Sequence, residues 1–117
     1  MYKFEKLSVW QEALTLARYC YVIARALPGF ENFGLSDQLR RAATSILLNI
    51  AEGSGSETDK EFLRFLFVAR KSLYEVVAVI KFIEVEHSGV ATQEVLKQVD
   101  VVGKLLNGLI RKLKANS

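Results

Sequence analysis

Apolar residues recur at alternating intervals of three and four positions along four segments of the chain, the spacing of one face of an α-helix. The first segment runs from about Val9 to Leu27, with Ser8 as its predicted N-cap and Gln11 as the capping-box partner. The row of apolar residues that should face the core, here called the seam of the helix, consists of Val9, Ala13, Leu16, Cys20, Ile23 and Leu27. Pro28 ends this helix because proline cannot continue one.

Three further segments show the same spacing. The predicted bounds are Ser36 to Gly53 for the second helix, Thr58 to about Val85 for the third, and a start after Thr92 for the fourth. The Gly53-Ser-Gly55 run supplies residues that tolerate a left-handed C-cap, and Thr58 with Glu61 forms a capping box. The predicted seams are Leu39, Ala43, Ile46 and Ile50; then Phe62, Leu66, Ala69, Leu73, Val76, Ile80 and Ile83; then Val95, Val99, Val102, Leu106, Leu109 and Leu113.

All four seams alternate intervals of three and four residues, which favours shallow crossing of nearly antiparallel helices. The joins between the last three helices are short, so consecutive helices should pack side by side. We therefore predict an all-α fold, an antiparallel up-and-down four-helix bundle in which residues 1–117 form one domain. The longer first connection carries Phe30 and Phe33, which are expected to pack against the end of the bundle.

The composition fits a folded domain with a mild positive charge. Half of the 117 residues are hydrophobic, a quarter are charged, and the net charge is +3. The first residues lack the apolar segment of a signal peptide, and no apolar run is long enough to cross a bilayer. Cys20 is the single cysteine and can form no internal disulfide, so a cytoplasmic location is expected.

The third helix carries more apolar residues than one bundle needs. Beyond its seam it adds Leu63, Phe65, Phe67, Val68, Tyr74, Val77, Val79 and Phe82. A helix that is apolar nearly all round is buried on more than one side, so a second subunit is the expected cover. The predicted oligomer interface consists of Trp10, Tyr21, Leu48, Phe65 and Phe82. An unusually large core within one subunit is the alternative.

The sequence gives little support for catalysis. His87 is the only histidine and is predicted to be a solvated turn residue near Glu84 and Glu86, a poor metal site. Cys20 lies on a core seam and is interpreted as a small buried hydrophobe rather than a nucleophile. The Gly-Ser-Gly-Ser run at 53–56 follows a helix instead of a strand and lacks the lysine of a phosphate loop. We expect no enzyme activity, no cofactor and no metal.

One polar cluster borders the predicted core. Its members, here called the polar lock, are Arg40, Arg41, Asn49 and Glu52 on the second helix and Glu75 on the third. An arginine at a core border needs a carboxylate or carbonyl partner, and Glu52 or Glu75 of this or a neighbouring subunit is the expected one. The cluster is interpreted as fixing the register between helices, with an anion or ligand site as the alternative.

The fourth helix carries a basic row opposite its seam. The row consists of Lys97, Lys104, Arg111 and Lys114, interrupted by Asp100 and Asn107, with Lys112 as a further charge near the end. Such a row can follow a phosphate backbone, and repetition around a ring of subunits would strengthen its field. No base-stacking aromatic residue accompanies the row, so any binding should be weakly sequence-selective. The alternative is a solvated face whose terminal cations complement the helix dipole.

Several segments resemble one bacterial family. They are residues 4–11, 34–43, 49–55, 61–66 and 72–75, and the most specific blocks are Gln38-Leu-Arg-Arg-Ala-Ala43 and Asn49-Ile-Ala-Glu-Gly53. The chain resembles the four-helix-bundle proteins encoded in intervening sequences of bacterial large-subunit ribosomal RNA genes, which are related to the accessory variability determinant of diversity-generating retroelements. The resemblance implies a cytoplasmic bundle that assembles as a homopentameric barrel. In the retroelement relatives the basic surface of the barrel engages nucleic acid and a reverse transcriptase.

Seven positions match the motifs of that family. They are Trp10, Arg40, Arg41, Asn49, Glu52, Gly53 and Glu75. The family usually has proline and serine where this chain has Leu47 and Leu48, so the second helix is expected to be straighter here and the subunit contact altered.

Two functional hypotheses follow. The first is a non-catalytic homo-oligomeric bundle that binds RNA or DNA with low sequence selectivity through Lys97, Lys104, Arg111, Lys112 and Lys114. The alternative is a protein-interaction scaffold, or an accessory subunit of a nucleic-acid-processing enzyme such as a reverse transcriptase.

Overall fold

The computed structural model describes residues 1–116, and in this range the chain is all α-helical with no strand. The four helices are α1 (Ser8–Ala26), α2 (Leu35–Ser54), α3 (Asp59–Glu86) and α4 (Gln93–Ala115). Short 3-10 helices at Lys3–Lys6 and Gly29–Glu31 precede α1 and α2. The prediction of an all-α fold with four helices is confirmed.

Each helix packs against two others. Helices α1 and α3 each contact α2 and α4, while the diagonal pairs do not meet within residues 1–116. One polar contact joins the end of α1 to the start of α2. The Ser36 hydroxyl at the start of α2 donates to the carbonyl oxygen of Ala24 near the end of α1, at 3.0 Å. The bundle is elongated, with extents of 45 × 22 × 21 Å.

The predicted seams form the core. Every predicted seam residue of α1, α2 and α3 is buried, and residues such as Leu16, Ile46 and Leu66 are fully inaccessible. In α4 the prediction is wrong at one position, because Ile110 is buried whereas Leu109 packs only at the edge of the core. Both residues are apolar, so only the rotation of α4 within the bundle decides which of them faces its centre.

The N-terminus of α1 differs from the prediction. Ser8 is the first helical residue rather than the N-cap, and no side-chain cap is formed. The 3-10 helix folds the preceding chain against this end, so that the Gln11 amide donates to the carbonyl oxygen of Glu5 at 2.8 Å. At α3 the N-cap half of the predicted capping box is confirmed, since the backbone N–H of Glu61 donates to the Thr58 hydroxyl at 3.1 Å.

The C-terminus of α2 corrects the role predicted for Gly53. The helix continues to Ser54, and no glycine within residues 1–116 has a positive φ, so the left-handed C-cap is wrong. The position is instead a close approach of α2 and α3. A β-carbon at Gly53 would lie 2.7 Å from Cδ1 of Phe62 and 2.8 Å from Cβ of Phe65.

The first connection also differs from the prediction. Phe30 and Phe33 are 78% and 99% exposed, and Phe30 meets the bundle end only through the His87 ring, whose centre is 6.0 Å from its own. The polar contact at this end comes from the 3-10 helix Gly29–Glu31, where the Glu31 carboxylate bonds to His87 at the end of α3.

We expect Gly53→Ala to destabilise the fold by about 1–2 kcal/mol, the usual cost of extra volume in a packed contact. The cost arises because the new methyl group meets Cβ of Phe65, which cannot rotate away. Urea unfolding followed by circular dichroism measures it.

Gly108→Ala in α4 is the matched control. Its new β-carbon would find only the tip of the Arg111 side chain, at 3.9 Å. The gain in helix propensity should then stabilise the protein by about 0.5–1 kcal/mol. Equal effects of the two substitutions would contradict the steric role of Gly53.

Candidate nucleic-acid interface

The basic row predicted on α4 is exposed along its whole length. Lys97 forms an ion pair with Glu94 at 3.7 Å, so the first member of the row is partly neutralised. Lys104 and Lys114 face α3, and Arg111 lies between them on the same side of the helix. Lys112 is also exposed, but it directly follows Arg111 and therefore lies about 100° around the helix from the row.

Helix α3 contributes two cations that the sequence analysis missed. Arg70 and Lys71 lie beside the α4 row and line the same depression between the two helices. We call this depression the cationic groove. It consists of two adjoining parts of about 370 and 350 Å³ that share Arg70 and Tyr74. A search along a single helix cannot find this group of cations, because α3 and α4 each contribute two of them.

An aromatic ring holds two of these cations in place. The guanidinium of Arg70 lies 5.3 Å and the ammonium of Lys114 lies 5.4 Å from the centre of the Phe67 ring. Arg70 also donates a hydrogen bond to the side-chain oxygen of Asn107 at 3.3 Å. These contacts join α3 to α4 and reduce the freedom that the side chains would lose on binding an anion.

The charge of the groove is strongly one-sided. Four cations line it, and Asp100 is the one carboxylate among the described lining residues. Arg70, Lys71 and Lys104 form no ion pair within residues 1–116. The groove therefore carries uncompensated positive charge.

A tyrosine also borders the groove, which corrects the expectation that no aromatic accompanies the basic row. Tyr74 lines both parts of the groove, and its side chain is 72% exposed. No ring contact or hydrogen bond joins it to another residue of the described chain. In the sequence Tyr74 is one of the apolar residues that α3 carries beyond its seam, and only the packing of α3 beside α4 brings it to the basic row.

The arginines of the polar lock find other partners within the chain than the glutamates predicted for them, and Arg40 donates to the carbonyl oxygen of Asn32 at 3.3 Å. Arg40 and Arg41 approach Asp37 at 4.0 and 3.8 Å, because Asp37 lies one turn earlier on α2. Neither Glu52 nor Glu75 forms an ion pair within residues 1–116, so the predicted pairing is wrong inside the subunit. Pairing with a neighbouring subunit stays a prediction.

Hydroxyl groups make the polar link between α2 and α3 instead. The Ser45 and Ser72 hydroxyls are 2.8 Å apart, and Asn49 donates to the carbonyl oxygen of Ser45 at 2.8 Å. Arg41 and Glu75 line one wall each of a polar groove of about 440 Å³ between these helices. The structure thus brings them to one surface without joining them.

The predicted interface residues have different surroundings. Leu48 and Phe82 are 58% and 51% exposed, and Tyr21 is 36% exposed. Phe65 is half-buried beside Gly53. Trp10 is half-buried against Phe4, whose ring centre is 4.9 Å away, so part of its apolar surface is covered within the chain.

Of the two side chains considered for nucleophilic or acid–base chemistry, Cys20 is buried and His87 is bound to a carboxylate. Burial of Cys20 raises the pKa of its thiol to about 12, which confirms its interpretation as a small buried hydrophobe. His87 is not a solvated residue, because its Nε2 lies 2.8 Å from a carboxylate oxygen of Glu31 and its side chain is only 14% exposed. The partner comes from the first connection, far away in sequence.

Two carboxylates close the same end of the bundle. The hydrogen bond with His87 lowers the pKa of Glu31 below its ordinary value. The Thr92 hydroxyl donates to Glu84 at 2.6 Å and lowers the pKa of that carboxyl. Among the described residues, no group of three or more His, Cys, Asp or Glu side chains could hold a metal ion. No helix within residues 1–116 is long and apolar enough to cross a membrane.

The fold and this groove define an all-α protein of four helices with a cationic surface. A family model described as 23S rRNA-intervening sequence protein matches residues 5–108. The chain therefore belongs to the 23S rRNA intervening sequence protein family, as its motifs indicated. No curated protein matches the chain. The relation to the accessory variability determinant stays a prediction.

We expect Glu31→Gln to lower stability at neutral pH and to change it less in acid. The folded-state pKa of Glu31 is lowered, so its contribution is present above the ordinary value near 4.5 and is lost as pH falls through the lowered value. Urea midpoints of both proteins between pH 7 and pH 2 measure the difference.

Glu57→Gln is the control, since Glu57 is exposed and outside this contact. Its midpoint should follow that of the unsubstituted protein at every pH. A Glu31→Gln difference that grows in acid would contradict the assigned role.

Proposed function

We propose that this protein is a non-catalytic, homo-oligomeric antiparallel four-helix bundle that binds nucleic acid through the cationic groove. The single observation that carries the proposal is the alignment of Arg70 and Lys71 on α3 with Lys104 and Lys114 on α4. Phosphate is the anion that best suits such a row, because each phosphate neutralised by Arg or Lys releases condensed counterions. Contacts of this kind carry little base information, so binding would be weakly sequence-selective.

Assembly is part of the proposal. Leu48 on α2 and Phe82 and Val85 on α3 expose large apolar side chains, and oligomer formation would cover such surface. The expected state is the homopentameric barrel implied by the family resemblance. Several grooves on one particle would sum their positive fields and raise the rate of encounter with a polyanion.

Two parts of the proposal, the absence of catalysis and the cytoplasmic location, are supported by the surroundings of Cys20 and His87. The thiol of Cys20 is buried and forms no disulfide, as expected in a reducing compartment. His87 is held by Glu31 at the end of the bundle.

The alternative function is a protein-interaction scaffold or an accessory subunit for a nucleic-acid-processing enzyme. One observation favours it, a groove of about 430 Å³ between α1 and α2 on the side opposite the cationic groove. Its lining includes the exposed apolar side chains of Leu14, Tyr21 and Val22. A partner helix could pack there while nucleic acid occupies the other side.

We expect Lys104→Glu with Lys114→Glu to weaken binding to RNA and DNA by about tenfold or more at 50 mM salt. Two lost phosphate contacts should also reduce the slope of log affinity against log salt by about 1.4 to 1.8. Fluorescence anisotropy with labelled oligonucleotides across a salt series measures both quantities.

Arg18→Glu with Arg25→Glu is the matched control. It makes the same change in net charge, but both arginines line the groove between α1 and α2. Equal losses from the two double variants would indicate that overall charge, and not the cationic groove, governs binding. Absence of any complex at low salt would refute the proposed function and favour the scaffold.

We expect the purified protein to have a mass near five times 13.2 kDa by light scattering. Leu48→Arg or Phe82→Arg should lower that mass toward the single chain, because a charged side chain is costly in an apolar interface.

Val101→Arg is the control for assembly. Val101 is 40% exposed but lies on α4, outside the predicted interface, so the mass should not change. A monomer at high protein concentration would contradict the oligomer.

A further inference from the structure

The part of the cationic groove that is lined by Asp100 and Lys104 has an apolar floor, which a site for phosphate alone does not need. The floor is formed by Leu73 and Val77 on α3 and by Val99 and Leu106 on α4. Gly103 adds no side chain to it, and the nearest atom to its β-position is Cδ2 of Leu73 at 3.6 Å. The volume of about 370 Å³ is of the size that small ligands occupy.

Charge is distributed unevenly along the groove. One part is lined by Arg70, Lys71 and Lys114 and by no carboxylate, whereas the other part adds Asp100 to Arg70 and Lys104. A phosphate is attracted more strongly to the first part than to the second, where the carboxylate offsets one of the two cations. The part with the apolar floor is therefore better suited to an uncharged, flat group attached to a phosphate.

Tyr74 stands where the two parts meet. Its ring is exposed, and it has no partner within residues 1–116. The Phe67 ring, by contrast, already faces Arg70 and Lys114. Tyr74 is thus the ring available to stack on a ligand, beside cations that are held in place.

We propose that the cationic groove binds single-stranded nucleic acid, with an unpaired base stacked on Tyr74 over the apolar floor and the adjoining phosphates on Arg70, Lys71 and Lys114. A base can stack on a side chain only when it is not stacked within a duplex, and every base offers such a face. A duplex presents phosphates at its surface and would leave the floor and Tyr74 uncovered. This inference rests on the proposed function and names the form of nucleic acid that it concerns.

The test uses the full chain and three fluorescein-labelled probes, a 15-nucleotide oligo-dT, a 15-nucleotide oligo-rU and a 15-base-pair duplex. Affinities are measured by anisotropy at one low salt concentration for the unsubstituted protein. We expect both single strands to bind at least about fivefold more tightly than the duplex, since stacking of one base contributes that factor or more. Equal or tighter binding of the duplex would overturn the inference.

Substitutions at Tyr74 separate stacking from charge. Tyr74→Leu keeps an apolar side chain without a ring and should weaken oligo-dT binding about fivefold to 150-fold. Its salt slope should stay unchanged because the phosphate contacts remain. Tyr74→Phe keeps the ring and should bind within about twofold of the unsubstituted protein.

Tyr19→Leu is the matched control, since Tyr19 is an exposed tyrosine on α1, outside the cationic groove. It should leave the affinity for oligo-dT unchanged, and the thermal transitions of all variants verify folding. If Tyr74→Leu binds oligo-dT as tightly as the unsubstituted protein, the stacking role is refuted. Loss of binding to all three probes in the unsubstituted protein would instead refute the proposed function.

Discussion

Burial of the apolar side of α3 is the interaction on which the other features of the bundle depend. This helix of 28 residues has its full seam inside the core, from Phe62 to Ile83. Removal of such side chains from water supplies most of the driving force for folding. On one edge α3 approaches α2 so closely that residue 53 has room only for glycine. On its other edge it lies against α4 and forms the cationic groove.

The chemistry of the groove follows from that packing. Neither α3 nor α4 alone carries more than a row of solvated cations, whose mutual repulsion and mobility would make them weak ligands for an anion. Side by side, the two helices share Phe67 and the hydrogen bond between Arg70 and Asn107. These contacts concentrate positive charge before any ligand arrives. An apolar floor and the exposed Tyr74 ring then distinguish the site from a merely charged surface.

The ends of the bundle are determined by polar contacts between segments distant in sequence. Glu31 and His87 join the first connection to the end of α3, and Ser36 joins the start of α2 to Ala24. The second contact satisfies the Ser36 hydroxyl, which would otherwise be buried without a partner. Phe30 and Phe33 are largely exposed at this end, contrary to the expectation from their hydrophobicity.

The sequence by itself determined the four helices, nearly all of the core and the family, because hydrophobic periodicity and local capping depend on neighbours within a few residues. It also located the cations of α4. Only the tertiary structure decided that Gly53 is a site of close helix approach, that Ile110 rather than Leu109 faces the core, and that His87 meets Glu31. It likewise brought Arg70, Lys71 and Tyr74 to the α4 row. The physical reason is that helix rotation and the distance between helices depend on all four seams packing together, and no single segment contains that information.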